Sequence, residues 1–128
     1  IMNRHPYNSG HLLILPYREV TQYDALNVPE QQALTAALDR CMGWLREAVS
    51  PDGFNVGMNL GRAAGAGIPD HLHAHVVPRW DGDTNFMATT ANTKVLPEDL
   101  QTTYGKLRAA MAPDARDTTK PAAQKPSE

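Results

Sequence analysis

The sequence predicts an α+β fold in which helices cover one face of an antiparallel sheet. Short apolar runs of strand length and two longer stretches with helical periodicity follow one another, separated by clusters of proline, glycine and small polar residues. The chain has 128 residues, the length of a single domain, and contains no internal repeats. We assign residues 1–112 to that domain. Residues 113–128 are polar and proline-punctuated, so we expect them to form a disordered tail.

The first half of the chain predicts a strand, a long helix and a second strand. The apolar run "HLLILPY" at residues 11–17 has strand length and is stopped by a proline. In "PEQQALTAALDRCMGWLREAV" at residues 29–49, apolar residues recur every three or four positions, which is typical of an amphipathic helix with proline in its first turn. "FNVGMNLG" at residues 54–61 alternates as a strand does. Because the chain opens inside what reads as the end of a strand, we expect N-terminal sequence to be missing.

The second half predicts a loop, a third strand and a second helix. "GRAAGAGIPD" at residues 61–70 is a loop of small residues, and "HLHAHVVPRW" at residues 71–80 is the next strand. After a turn at "DGDTN", the stretch "PEDLQTTYGKLRAAM" at residues 97–111 predicts a helix that starts at its proline. Its expected buried stripe consists of Leu100, Tyr104, Leu107 and Met111.

Composition excludes several classes of protein. Twelve Lys and Arg stand against fourteen Asp and Glu, a balance that argues against a general nucleic-acid or membrane binder. The longest apolar run, residues 12–16, is too short to span a bilayer. Cys41 is the single cysteine, so no intramolecular disulfide can form. We therefore expect a cytoplasmic protein whose ligand, if anionic, is held by a local site.

Three of the five histidines in the chain lie at alternate positions of one predicted strand. Side chains on a strand alternate between its faces, so His71, His73 and His75 point to one side. The intervening residues Leu72 and Ala74 point to the other side, toward the core. Three imidazoles on one face are unusual as packing, so this face is the candidate catalytic site.

Two chemistries compete for these histidines. Along an extended strand His71 and His75 start about 13 Å apart, too far for all three rings to ligate one tetrahedral zinc ion. A zinc site would need two of them and a third ligand from elsewhere, such as His5 or His11. In phosphoryl chemistry a neutral imidazole attacks phosphorus while its neighbours stabilise the oxygens and protonate the leaving group. For that reaction His73, which the other two flank, is the best-placed nucleophile.

The loop before the histidines is the candidate phosphate site. Its small residues Gly65, Ala66 and Gly67 would let backbone N–H groups close on an anion. The amide of Asn59 stands where it can hydrogen-bond a phosphate or ribose oxygen. The alternatives are a plain flexible connection and an asparagine that stabilises a turn.

The stretch "HLHAHVV" resembles the signature of the histidine-triad (HIT) family, in which histidines alternate with hydrophobic residues and two more hydrophobics follow. "NRHPYNSGHLLILPYREV" resembles the strand-and-turn segment before the family's main helix. "NLGRAAGAGIPDHLHAHVVPRWDGDTNFM" is similar to the branch that contains bacterial diadenosine tetraphosphate phosphorylases. The resemblance thus covers most of the chain.

The resemblance implies a HIT-like α+β fold, usually dimeric, that cleaves dinucleoside polyphosphates at the α-phosphate. His73 would form a nucleotidyl-histidine intermediate, and His71 and His75 would position it and contact the phosphate. The chemistry would need no resident cofactor, inorganic phosphate would be a possible co-substrate, and the use of a divalent metal stays open. The expected ligand is an adenine nucleotide or dinucleoside polyphosphate. The residues assigned to its binding are Asn59, Gly65, Ala66, Gly67, Trp80 and His11.

The sequence departs from the family pattern in places. Many members carry a further histidine where this chain has Glu19, so the protonation network is open to question. The loop lacks the Gln-Ser pair of nucleoside-phosphoramidate hydrolases, which argues against that branch. The opening hairpin of the family is absent, which would expose a sheet edge. Two alternatives remain open. One is a nucleoside 5′-phosphoramidate hydrolase, which the loop disfavours; the other is a nucleotide-binding module with little catalysis, which Glu19 and the missing hairpin favour.

Overall fold

A computed structural model describes residues 1–3, 8–66, 71–83 and 98–112, and confirms the predicted α+β architecture. Two short 3₁₀ turns accompany the main elements, at Tyr23–Ala25 and Arg62–Ala64. The predicted tail at 113–128, the loop residue Gly67 and the proline expected to start the second helix lie outside the described residues. The main elements are β1 (Leu12–Ile14), α1 (Val28–Val49), β2 (Gly53–Gly57), β3 (Ala74–Arg79) and α2 (Leu100–Met111).

The sheet is antiparallel, with β3 in the centre and the order β1–β3–β2. Leu13 faces His75 across one pairing, and Gly57 faces His75 across the other. Residues 1–3 run antiparallel to β1, with Met2 opposite Leu12. The third strand begins at Ala74, so His71 and His73 lie just before it rather than inside it. Of the three histidines, His75 alone is thus paired within the central strand of the sheet.

Helix α1 begins at a capping box. The Asn27 side chain accepts a hydrogen bond from the backbone of Glu30, and the Glu30 carboxylate accepts one from the backbone of Asn27. Arg18 donates to the same carboxylate at 2.7 Å and so ties the preceding loop to the helix start. The helix ends at Ser50, whose φ of 47° lies in the left-handed region. The bounds agree closely with the predicted 29–49.

The core lies between α1 and the sheet. Leu45 of α1 and Val76 of β3 are fully buried and pack in one cluster with Leu12, Cys41 and Leu107. A second cluster joins Val20, Leu26 and Leu72. The apolar stripe predicted for α1 is confirmed, because its members line these clusters. Among the residues described, no helix is long and apolar enough to cross a membrane.

Helix α2 differs from its predicted form. Asp99 caps its start by accepting from the backbone of Gln101 and Thr102. Its buried residues are Thr103, Leu107 and Ala110, and they form one face. Of the predicted stripe only Leu107 is buried, whereas Leu100, Tyr104 and Met111 are 37%, 51% and 38% exposed. The apolar pattern is wider than the surface that meets the rest of the fold, and the contact uses the edge that carries threonine and alanine.

The turn before β1 depends on Gly10. Its φ of 85° lies in the left-handed region that side chains disfavour. A Cβ at this position would stand 3.0 Å from Cδ2 of Leu45 and 3.3 Å from Cγ of Pro78. Glycine is therefore needed here both for the backbone conformation and for the close approach to the core.

We predict that Gly10→Ala lowers the free energy of unfolding by about 2–4 kcal/mol, because it adds backbone strain and overpacks a tight core. Gly43→Ala is the matched control, since its new Cβ meets nothing within 4 Å and it lies inside α1. That control should be stabilising by about 0.5–1 kcal/mol. Urea unfolding of both variants measures the difference. Equal stabilities would contradict the role given to Gly10.

Candidate active site

The alternation of the histidine segment is as predicted. Leu72, Ala74 and Val76 are 4%, 1% and 0% exposed on the core side, whereas the three histidines are partly exposed. The backbone N–H of Leu72 donates to the carbonyl of Val20 at 2.8 Å, which anchors the segment ahead of β3. The buried spacers therefore act as the fixed side from which the imidazoles project.

His73 has a defined tautomer. Its Nδ1 lies 2.8 Å from the carbonyl oxygen of His71. Because a carbonyl oxygen only accepts, Nδ1 must carry the proton, and in the neutral ring Nε2 then has the free lone pair. The ring meets that of His75 edge-on, with centroids 4.8 Å apart at 71°. The middle histidine thus offers a nucleophilic nitrogen beside a second imidazole.

His75 is in turn paired with His11, the residue that precedes β1. Nε2 of His11 lies 2.9 Å from Nδ1 of His75, and the ring centroids are 5.1 Å apart. His11 is 1% exposed, so its ring is buried beside His75 rather than at the surface. On its other side, Nδ2 of Asn3 lies 3.2 Å from Nδ1 of His11.

The further histidine of the site is therefore His11, not a residue at the position of Glu19. Glu19 is exposed, next to the buried Val20. The family resemblance assigns His11 to the nucleotide-binding residues, whereas the structure places it against His75. The contact forms because antiparallel pairing of β1 with β3 makes the two rings diagonal neighbours on one face. The replacement of the usual histidine by Glu19 thus leaves a chain of imidazoles intact.

Burial keeps these imidazoles neutral. Desolvation, with the nearby His75 and His73, lowers the pKa of His11 to about 4. Desolvation and the nearby His73 also lower the pKa of His75. Protonation of one ring disfavours protonation of its neighbours. At neutral pH both rings of this pair therefore carry a single proton each and act as donor on one nitrogen and acceptor on the other.

His71 supplies the carbonyl that fixes His73, and its own ring faces inward. Its Nε2 is buried and has no hydrogen-bond partner among the described residues. An unsatisfied buried nitrogen carries a desolvation cost of about 1–3 kcal/mol. A ligand group that reached this nitrogen would recover part of that cost.

The glycine loop differs from its expected form. Asn59 and Gly65 lie together, since a Cβ on Gly65 would be 3.8 Å from the Asn59 amide nitrogen. The backbone N–H groups of Gly65 and Ala66 are already engaged, however, donating to the carbonyls of Arg62 and Gly61. In this conformation the 3₁₀ turn uses both N–H groups, and their donation to a phosphate stays a prediction.

Trp80 lies at the other end of β3 from the histidines. Its indole nitrogen donates to the carbonyl of Ser50 at 3.1 Å, and its backbone N–H donates to Asp83. Five residues of extended chain separate it from His75, about 16 Å. In this chain Trp80 ties the turn after β3 to the end of α1, and the structure does not bring it to the histidines.

The described ranges contain no group of three His, Cys, Asp or Glu side chains arranged to hold a metal ion. Nδ1 of His73 and Nδ1 of His75 are both hydrogen-bonded within the protein. The two-histidine zinc site considered from the sequence would therefore have to use Nε2 of these rings.

Comparison with known proteins relates this chain to one family. The HIT domain family model matches residues 1–82. An AP-4-A phosphorylase of Mycobacterium tuberculosis is 43% identical over 103 residues, which cover 80% of this chain and 53% of that protein. A bis(5′-nucleosyl)-tetraphosphatase (asymmetrical) of Schizosaccharomyces pombe is 29% identical over 64% of this chain and 44% of its own length. The chain thus spans about half the length of the curated relatives it matches.

Solved structures with the same fold include a zinc-bound histidine triad family protein from Mycobacterium smegmatis. It superposes with a TM-score of 0.68 at 28% identity, over 87% of this chain and 75% of that chain. A histidine triad nucleotide-binding protein from Sulfolobus tokodaii gives the same TM-score at 23% identity and the same coverage, which supports the fold.

We predict that the protein loses stability as the pH falls from 6.5 toward 4. In this window the unfolded chain binds a proton at His11 that the folded protein does not, since the folded pKa is about 4 and the ordinary value is 6.5. The loss attributable to His11 should reach about 3 kcal/mol at most by pH 4, with none above pH 6.5. Urea unfolding across pH 4–7 measures it.

His11→Gln is the control, because an amide keeps a hydrogen-bonding group beside His75 but does not titrate. Its stability should vary less with pH than that of the wild type over the same window. If the two profiles run parallel, the neutral buried state of His11 is not what makes the protein acid-sensitive.

Proposed function

The chain belongs to the HIT family, and from this premise we propose that it cleaves dinucleoside polyphosphates at the α-phosphate, as a phosphorylase acting on diadenosine tetraphosphate. The observation that carries the proposal is the hydrogen bond from Nδ1 of His73 to the carbonyl of His71. It leaves Nε2 unprotonated, with a lone pair available for attack. The name of the Mycobacterium tuberculosis relative supports the substrate.

In the first step Nε2 of His73 attacks the α-phosphorus, the bond to the bridging oxygen breaks, and a nucleotidyl-histidine forms. The leaving group is ATP when the substrate is diadenosine tetraphosphate; it departs as an anion whose oxygen accepts a hydrogen bond from a neighbouring neutral imidazole. His75 stands 4.8 Å from His73 between ring centroids, and we assign it this role. His71 positions His73 through its backbone carbonyl, and its buried Nε2 is the candidate partner for a phosphate oxygen that reaches it.

In the second step inorganic phosphate attacks the same phosphorus, the P–N bond breaks and ADP leaves. With water in place of phosphate the product is AMP, which is the hydrolase variant of the same chemistry. Every group that forms or breaks a bond here is an imidazole or a substrate atom, so we propose that no resident cofactor is needed. Asn59, beside Gly65, is the candidate for holding a phosphate or ribose oxygen.

We predict that wild type converts diadenosine tetraphosphate into ADP and ATP only when inorganic phosphate is present. His73→Ala should lower turnover by a factor of about 10³ or more, since the nucleophile is lost, while nucleotide binding stays within a few-fold. Product chromatography and equilibrium binding measure the two effects. Tyr17→Ala is the control, at a side chain that is 87% exposed.

An active His73→Ala protein would exclude His73 as the nucleophile. AMP and ATP without phosphate would assign water as the acceptor. Tight nucleotide binding with no product in either condition would contradict the enzymatic proposal and favour the binding module. Turnover of an adenosine 5′-phosphoramidate in preference to diadenosine tetraphosphate would favour the phosphoramidate hydrolase instead.

We also propose that the protein is a homodimer that pairs along the outer edge of β2. Within the described part of the chain, β2 is paired with β3 alone, which leaves its other edge open. Val56 on this strand is 46% exposed. An unpaired strand edge with an exposed apolar residue favours pairing with another strand.

We predict that Val56→Lys raises the dimer dissociation constant at least about tenfold, because a charge would be buried at the interface. Sedimentation equilibrium over a range of protein concentrations measures it. Tyr17→Lys, at an exposed residue outside β2, should leave the constant unchanged. A wild-type protein that sediments as a monomer at all concentrations would refute the dimer.

A further inference from the structure

Asn3 faces His11 across the pairing of residues 1–3 with the start of β1. Its backbone N–H donates to the carbonyl of His11 at 2.9 Å, so the two residues are cross-strand partners. Its side-chain nitrogen Nδ2 lies 3.2 Å from Nδ1 of His11. An amide nitrogen only donates, so in this arrangement Nδ1 of His11 is the acceptor and the ring proton is on Nε2.

The proton position in His11 also determines that in His75. Nε2 of His11 lies 2.9 Å from Nδ1 of His75, and since this Nε2 carries the proton it is the donor. Nδ1 of His75 is then the acceptor, and the proton of His75 is on Nε2. The Asn3 amide thus determines which nitrogen carries the proton in two rings, that of His11 and that of His75.

This ordering requires neutral rings, because an imidazolium has no choice of tautomer. Burial and the nearby His75 and His73 hold the pKa of His11 at about 4, and burial lowers that of His75. At neutral pH each ring therefore has a single proton, and its hydrogen-bond partners decide which nitrogen carries it.

We propose that Asn3 is a positioning residue that makes His75 a hydrogen donor at Nε2, the opposite tautomer to that of His73. The proposal rests on the proposed function, in which His73 needs a lone pair toward phosphorus and His75 needs an N–H donor for the leaving oxygen. If the order of these hydrogen bonds were reversed, Nε2 of His75 would present a lone pair to a phosphate oxygen, which repels it and donates no hydrogen bond.

The first test needs no substrate. Long-range ¹H–¹⁵N correlation spectra of the full chain at pH 7.5 identify which nitrogen of each imidazole is protonated. We expect His73 as the Nδ1–H tautomer, and His11 and His75 as Nε2–H tautomers. A proton on Nδ1 of His11 or of His75 in the wild type overturns the proposal.

The second test compares Asn3→Asp with Asn3→Ala. Aspartate has the size of asparagine but only accepts, so Nδ1 of His11 should gain a proton; alanine removes the donor and should leave a mixture of tautomers. If donation is the role of Asn3, Asp lowers kcat/KM for diadenosine tetraphosphate by about tenfold or more, at least as much as Ala does. An Asp variant with wild-type turnover and a worse Ala variant would mean that Asn3 only fills space, and would overturn the proposal.

Asn55→Asp is the matched control. The Asn55 side-chain oxygen accepts from Arg79 at 2.6 Å, so this amide is engaged with the last residue of β3 rather than with a histidine. The same chemical change there should leave the three tautomers and kcat/KM within about twofold of wild type. If the spectra show the expected tautomers but the wild-type protein does not turn over diadenosine tetraphosphate, the proposed function fails. The role of Asn3 in ordering the rings then still stands.

Discussion

The antiparallel register between β1 and β3 is the constraint on which the site depends. Leu12 faces Val76, and Leu13 faces His75, so His11 becomes the diagonal neighbour of His75 on the face away from the core. A slip of one residue would exchange the faces of β1 and carry His11 to the core side. The packing of Leu12 and Val76 around Leu45 excludes that slip. The hydrophobic core therefore fixes the geometry of the imidazoles on the opposite face.

A hydrogen-bond network around Asp83 stabilises the end of the sheet away from the histidines. Asp83 accepts from both Nε and Nη2 of Arg79, from the Trp80 backbone and from the side chain of Asn8. Asn8 also donates to the carbonyl of Pro78. This network closes the turn after β3 on the turn before β1, so it holds the two strands in register from the far end. It supports the site without touching it.

The sequence predicts well what depends on local periodicity, such as the 29–49 helix and the alternation of His71, His73 and His75. What it misses depends on contacts between distant residues. The partner of His75 is 64 positions away and follows from a register that the turn before β1 determines. The covered edge of α2 depends on how the helix meets its neighbours. The loop composition allows phosphate binding, but it does not reveal that the N–H groups of Gly65 and Ala66 close a 3₁₀ turn.

The low basicity of the buried rings has a consequence for the proposed phosphoryl chemistry. In the free protein, burial and mutual repulsion disfavour a positive charge on His11 or His75, so the site holds donors and lone pairs but no cation from this pair. A phosphate group beside His75 would therefore meet a neutral N–H donor at Nε2 rather than an imidazolium. The burial that disfavours a charged imidazole thus also leaves each ring with one proton, whose position its hydrogen-bond partners decide. The directions of the hydrogen bonds among Asn3, His11 and His75 are in this way determined by the folded chain before any ligand binds.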